Sequence, residues 1–139
     1  MAITKTKKVK KTRHDGSKTM AVVLIRGLIG TSPDVRTTLR MLNLQRKNSC
    51  TLIKNTENMM GMLFKVKDYV TYGEIDETVA RKLQEKRGQK DKEGKIKKYF
   101  RLSPPKGGFE RKGIKKSYSV GGVLGYRGNE MASLIKKMI

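Results

Sequence analysis

The sequence is short of cysteine, histidine, acids and long apolar runs. Its 139 residues hold one cysteine, Cys50, one histidine, His14, and no tryptophan. A lone cysteine excludes an internal disulfide framework, and one Cys with one His cannot assemble a zinc site of the usual Cys/His kinds, so no metal is expected. No stretch approaches the ~20 consecutive apolar residues of a membrane span, and the N-terminal lysine run is not followed by the apolar segment of a secretory signal. A soluble, intracellular protein is expected, with no membrane partner. Acids number 12 against 33 Lys and Arg, which leaves a net charge of +21. A compact chain with that charge repels itself and attracts phosphate, so a polyanionic partner is expected. A small acidic metabolite would not require so many cations, and neither a small-molecule substrate nor a cofactor is expected.

The apolar share, 36%, is enough for one modest core with basic appendages. Residues 1–18 carry Lys5, Lys7, Lys8, Lys10, Lys11, Arg13 and Lys18 against Asp15 alone. They read as a basic arm that orders along phosphates. From Met20 the texture changes. Met20 to Ile25 is a continuous apolar run rich in β-branched residues, the pattern of a buried strand. Ser32-Pro33-Asp34 then opens a helix: Ser can accept from the orphan amides, Pro loses nothing at the first position, and Asp faces the positive end of the dipole. Val35, Leu39 and Leu42 place one face inward, and the helix should end near Leu44. Ser49 to Lys54 reads as a second strand, Thr56 as the cap of a second helix on Met59, Leu63 and Val66, and Val70 to Ile75 as a third strand.

The order β-α-β-α-β across residues 19–75 is small enough to gain from a bound partner. Residues 76–98 read as a third helix from Asp76-Glu77, with Val79 and Leu83 inward, fading at Arg87-Gly88 into a charged linker. Residues 99–139 read as an RNA-binding loop and a closing helix. That helix is capped by Gly128 or Asn129 and carries Met131, Leu134, Ile135 and Met138 on one face.

Parts for catalysis are lacking. His14 lies in the arm, Cys50 sits in a strand pattern as a small hydrophobe, and the acids are scattered among cations, so no enzyme is expected. Gly27-Leu28-Ile29-Gly30 follows a strand and opens a helix without the lysine or glycine count of a phosphate-binding fingerprint, although helix N-terminal amides there can meet a phosphate. The sharper feature is residues 100–116, where Arg101, Lys106, Arg111, Lys112, Lys115 and Lys116 alternate with glycines that admit close backbone approach. Phe109 is expected to be exposed there and to stack on an unpaired base. Residues 101–128 carry little apolar surface, so RNA is expected to supply their order.

The run Arg26-Gly27-Leu28-Ile29-Gly30, then Arg36, Thr38-Leu39-Arg40, Leu42-Asn43-Leu44, Arg46-Lys47 and Val66-Lys67, resembles the universal large-subunit ribosomal protein family called L-thirty in bacteria and L-seven in eukaryotes. Phe100-Arg101-Leu102-Ser103-Pro104-Pro105, Gly107-Gly108-Phe109, Gly113-Ile114-Lys115 and Gly125-Tyr126-Arg127-Gly128 resemble the C-terminal extension of its archaeal and eukaryotic branch. The resemblance covers residues 20–139. It implies an α+β fold: a ferredoxin-like β-α-β-α-β unit with a three-stranded antiparallel sheet and two helices on one face. It also implies a structural constituent of the cytoplasmic large ribosomal subunit that binds large-subunit ribosomal RNA near the 5S RNA, beside neighbouring ribosomal proteins, and stabilises the RNA fold during protein synthesis. The residues it assigns to RNA are Arg26, Arg36, Arg40, Arg46 and Lys47, then Arg101 to Lys116 and Arg127. The segment before Pro104-Pro105 is short for the archaeal branch, and the N-terminal arm has no clear counterpart.

Two other readings share the composition. A nonspecific chromatin-like or single-strand-binding protein would show the same charge and the same Gly-aromatic loop. A KH-like module fits the spacing of Gly27 and Gly30 but lacks basic residues between them.

Overall fold

A computed structural model describes residues 19–109 and 111–139. The N-terminal arm and His14 lie outside the described residues. The elements are β1 (Thr19–Leu24), α1 (Pro33–Met41), β2 (Ser49–Lys54), α2 (Glu57–Lys65), β3 (Val70–Ile75), α3 (Glu77–Arg87), β4 (Tyr99–Arg101), β5 (Gly125–Tyr126) and α4 (Glu130–Met138), with a 3-10 turn at Tyr118–Val120. They form an α+β fold on a single sheet of order β4-β2-β1-β3-β5.

The antiparallel trio expected from the sequence is its centre. β1 pairs with β2 (Ala21 opposite Leu52) and with β3 (Ala21 opposite Gly73). The expectation of three strands falls short at both edges. β4 adds antiparallel to β2 (Cys50 opposite Phe100), and β5 adds parallel to β3 (Thr71 opposite Gly125), so the sheet is mixed and five-stranded. Each added strand is only two or three residues long, too short to declare itself by alternation.

The two helices of the β-α-β-α-β unit, α1 and α2, lie on one face as expected, while α3 and α4 cover the other, and β1 explains why. Its side chains alternate between two cores. Met20, Val22 and Leu24 join Leu39, Leu42, Leu63 and Val66 of α1, α2 and their ends. Ala21, Val23 and Ile25 join Val79 and Leu83 of α3, Phe100 of β4, and Met131, Leu134, Ile135 and Met138 of α4. The uninterrupted apolar run Met20 to Ile25 is therefore a strand covered on both faces. Cys50 is buried in the second core, as its strand setting suggested. Burial pushes its thiol up to about 12, only partly offset by a backbone hydrogen bond from Val22, so it is a packing residue and not a nucleophile.

Local chemistry ends the helices. α1 stops at Met41, short of Leu44, in a Schellman turn: Asn43 takes φ +59°, its amide donates to Arg40 O, and the Leu44 amide reaches back to Leu39 O at 2.9 Å. Leu44 is thereby buried beside Leu39 without being helical. Thr56 caps α2 as expected, its Oγ1 accepting from the Met59 amide. Ser32 makes no side-chain cap, and neither does Asn129. Thr31 braces the first turn instead, donating from Oγ1 to Leu28 O at 2.7 Å.

Candidate nucleic-acid interface

The register brings five strand ends together. Leu24 closes β1 opposite Val70, where β3 begins. Asn48, just before β2, donates its amide to Leu24 O at 2.8 Å. Ser49, where β2 begins, lies opposite Arg101, the last residue of β4, and Thr71 lies opposite Gly125, where β5 begins. The loops 25–32, 42–48, 66–69 and 102–124 therefore gather at one end of the sheet. Most of the basic residues singled out above are in those loops.

Arg26 stacks on the Tyr69 ring at 5.2 Å from its centroid. Its backbone amide and that of Ile25 both donate to Tyr69 O, which fixes the junction between β1 and β3. Arg26, Lys67 and Lys115 line one hollow of about 550 Å³ together with Tyr69, Ser117 and Ser119. Arg46 and Arg101 line another, of about 280 Å³, with Asn43, Gln45, Ser49 and Tyr99. Lys47 is exposed in the same loop as Arg46. Arg36 and Arg40 are exposed on α1, and the Arg36 Nε donates to Thr31 Oγ1 at 3.1 Å, which holds the guanidinium beside the helix start.

The loop 102–124, expected to take its order from RNA, also makes contacts within the chain. It is closed on α4 and on itself. The Ser103 amide donates to Met138 O and the Lys106 amide to Lys137 O, so the C-terminal carbonyls of α4 hold the Pro104-Pro105 segment. Arg87 Nη2 adds a 2.7 Å bond to Ser103 Oγ. Further along, the Lys112 amide donates to Gly121 O, and the Val123 and Leu124 amides both donate to Lys116 O. Lys106, Arg111, Lys112, Lys115 and Lys116 stay exposed on this closed loop.

Phe109 does not. Its ring is half-buried and packs with Ile114 against the core under α3 and α4, so the expected exposed stacking residue is an anchor for the loop. The apolar ring finds that core within reach, and hydrophobic burial outweighs exposure in water. Arg127 also turns inward. At 6% exposure its Nε donates to Thr71 Oγ1 at 2.8 Å, its Nη2 to Val123 O at 3.3 Å, and its guanidinium lies over the Tyr118 ring at 4.9 Å. With Thr71 Oγ1 donating in turn to Gly125 O, this arginine ties β5 and the 3-10 turn to β3.

From the sequence, Phe64 and Lys65 have no assigned role, and Ile29 and Lys67 enter only within longer runs. All four belong to this end: α2 finishes at Lys65, the turn 66–69 leads straight into β3, and Ile29, 99% exposed, tips the β1-α1 loop. For Phe64 and Lys65 the signal was positional, in the last helical turn before a strand begins. Among the described residues no group of three His, Cys, Asp or Glu stands close enough to hold a metal ion, and no helix is long and apolar enough to cross a membrane.

Comparison with known proteins gives the same family as the resemblance. Residues 20–70 match the family of ribosomal protein L30p/L7e. The chain is 39% identical to the large ribosomal subunit protein uL30 of Methanococcus maripaludis over 151 positions, covering 86% of this chain and 98% of the relative. It is 38% identical to the protein of the same name from Methanopyrus kandleri, over 83% of this chain and all of the relative. With the Korarchaeum cryptofilum protein of that name it shares 40% identity over 86% of this chain and 94% of the relative. Such identity across nearly the full length of these relatives establishes that the chain belongs to the L30p/L7e family of ribosomal proteins.

Proposed function

We propose that this chain is a structural constituent of the large ribosomal subunit, in the cytoplasm, and that it grips large-subunit ribosomal RNA with the end where the five strand ends meet. The RNA face comprises Arg26, Arg46, Lys47, Lys67, Arg101, Lys106, Lys115 and Lys116, with Arg36 and Arg40 on the flanking helix and Arg111 and Lys112 farther along the loop. Phe109 and Arg127 support that face from within. The 5S RNA and neighbouring ribosomal proteins lie close by, and the protein stabilises the RNA fold during protein synthesis without catalysing a reaction.

The observation that carries this reading is the pairing of cations from segments distant in sequence, Arg26 with Lys115 and Arg46 with Arg101, around shared hollows. Chain order alone would not collect them. Rigid backbone turns hold them in place, so phosphates meet a prearranged charge pattern.

The test is a salt titration of the full chain with transcribed large-subunit ribosomal RNA. Eight phosphate contacts imply a log-log slope of roughly −5.6 to −7, at about 0.7 to 0.9 per contact. Arg46→Glu with Arg101→Glu should weaken binding far more than Lys54→Glu with Lys82→Glu, which sit away from this end. A slope near −1, or equal losses for the two pairs, would sink the proposed face. Equal competition by duplex DNA would favour the nonspecific nucleic-acid-binding reading instead.

A further inference from the structure

Phe109 is committed to the core, and Phe100 is buried in it at 4% exposure. That leaves Phe64, 66% exposed on the last turn of α2, as the one phenylalanine free to meet a ligand. Its neighbours Leu63 and Val66 are fully buried, so α2 docks through them and packing does not require an aromatic ring at position 64. Lys67 Nζ lies over the ring, 4.4 Å from its centroid, so a base can stack on that face once the exposed lysine swings aside towards the backbone phosphate.

We propose that Phe64 is a nucleobase platform: an unpaired base of the bound RNA stacks on its ring while Lys67 contacts the phosphate of the same nucleotide. This rests on the RNA-binding reading above and names a contact within it. Stacking needs an exposed π-face held still, and a cation beside it to draw in the backbone. The ring sits on a helix end that is tied down, since the Val66 amide donates to Leu63 O, the Tyr69 amide to Val66 O, and Tyr69 O accepts from Ile25 and Arg26. Arg26, Lys67 and Lys115 line the adjoining hollow against one acid, Asp68, so the strand carrying the base would continue along a net positive surface. The alternative occupant, an apolar patch of a neighbouring protein, would gain nothing from a lysine over the ring.

The full chain would be tested against two probes at one salt concentration, a single-stranded A12 ribo-oligonucleotide and a fully paired 12-bp RNA duplex. Phe64→Leu keeps an apolar side chain but removes the π-face, and it should lose about tenfold on A12 and less than about twofold on the duplex. Phe64→Trp places a unique fluorophore in a chain without tryptophan, and A12 should quench it while the duplex does not. Unchanged A12 affinity in Phe64→Leu with no quenching in Phe64→Trp would remove the platform and leave the basic face standing. Failure of the parent to bind either probe would remove the RNA reading itself. In assembled large subunits, a photoreactive benzoylphenylalanine at position 64 should crosslink to RNA, and a crosslink to protein instead would overturn the proposal.

Discussion

β3 has no side chain at Gly73, where the start of α4 packs against it, and replacing that glycine by alanine probes the contact. A Cβ there would stand 2.5 Å from Gly128 O and 2.7 Å from Met131 Cβ. Neither obstacle can swing away as the tip of a long side chain would, because one is backbone and the other is fixed to it. The start of α4 must therefore lift, and with it Met131, Leu134, Ile135 and Met138, all buried in the core shared with α3. Overpacking of this kind costs about 1–3 kcal/mol. At about 4 °C per kcal/mol for a domain of this size, the melting temperature should fall by about 4–12 °C. The lift should also reach the RNA face, since Met138 O and Lys137 O hold the amides of Ser103 and Lys106. Thermal unfolding by circular dichroism would measure the first effect and hydrogen exchange of those two amides the second. Gly61→Ala is the contrast: that glycine lies inside α2 with open space around its Cβ position, and the change should stabilise by about 0.5–1 kcal/mol. If Gly73→Ala melts with the parent and leaves both amides protected, the close approach does not hold α4, and the reasoning from it fails.

Phe109→Ala should lower stability by roughly 1–2 kcal/mol, less than a fully buried ring would cost, while leaving the salt slope for ribosomal RNA unchanged; a reduced slope with unchanged melting would restore the ring to the RNA face. The Cys50 thiol, raised from about 9.0 to about 12, stays protonated in the folded chain while the unfolded chain ionises, so its contribution is whole below about pH 9 and is lost as pH climbs towards 12. Melting curves of the parent and Cys50→Ala should therefore converge as pH rises above 9, and alkylation of the native thiol should proceed only as fast as the protein opens. Parallel curves across that range, or immediate alkylation, would contradict the burial argument.

The elements whose signal is periodic or chemical were legible in the sequence: β1 to β3, α1 to α4, the Thr56 cap and the inward faces of α3 and α4. What was not legible depends on contacts between distant segments. β4 and β5 exist because Phe100 finds Cys50 and Gly125 finds Thr71, and neither strand is long enough to carry a pattern of its own. The same holds at the site. Arg26 and Arg46 follow from their places in the resemblance, yet only the register shows that Lys115 joins the first and Arg101 the second. Phe109 and Arg127 misled for one reason, that a glycine-rich basic segment looks solvated throughout, whereas its phenylalanine ring and its last arginine supply the anchors that let its other cations stay exposed. Residue composition describes the segment's surface well and says little about which members turn inward.

The helix directions give the surplus of cations a second use. α2, α3 and α4 all end where the strand ends gather: α2 passes through 66–69 into β3, Arg87 at the end of α3 bonds Ser103, and the last carbonyls of α4 hold the loop. Each helix C-terminus carries about half a negative charge, and only α1 points a positive end the same way, so the backbone dipoles alone would leave this end negative by about one unit and repel RNA. Lys65 on α2, Lys86 and Arg87 on α3, and Lys136 and Lys137 on α4 stand in those last turns. The acids that complement the opposite dipole ends, Glu57 and Glu77, sit in the first turns of α2 and α3. Helix stability and phosphate binding thus demand the same sorting of charge along the molecule. A lysine in a last turn first offsets the dipole of its own helix, which leaves the loop cations Arg26, Arg46, Arg101 and Lys115 to supply the net positive charge of the proposed RNA face.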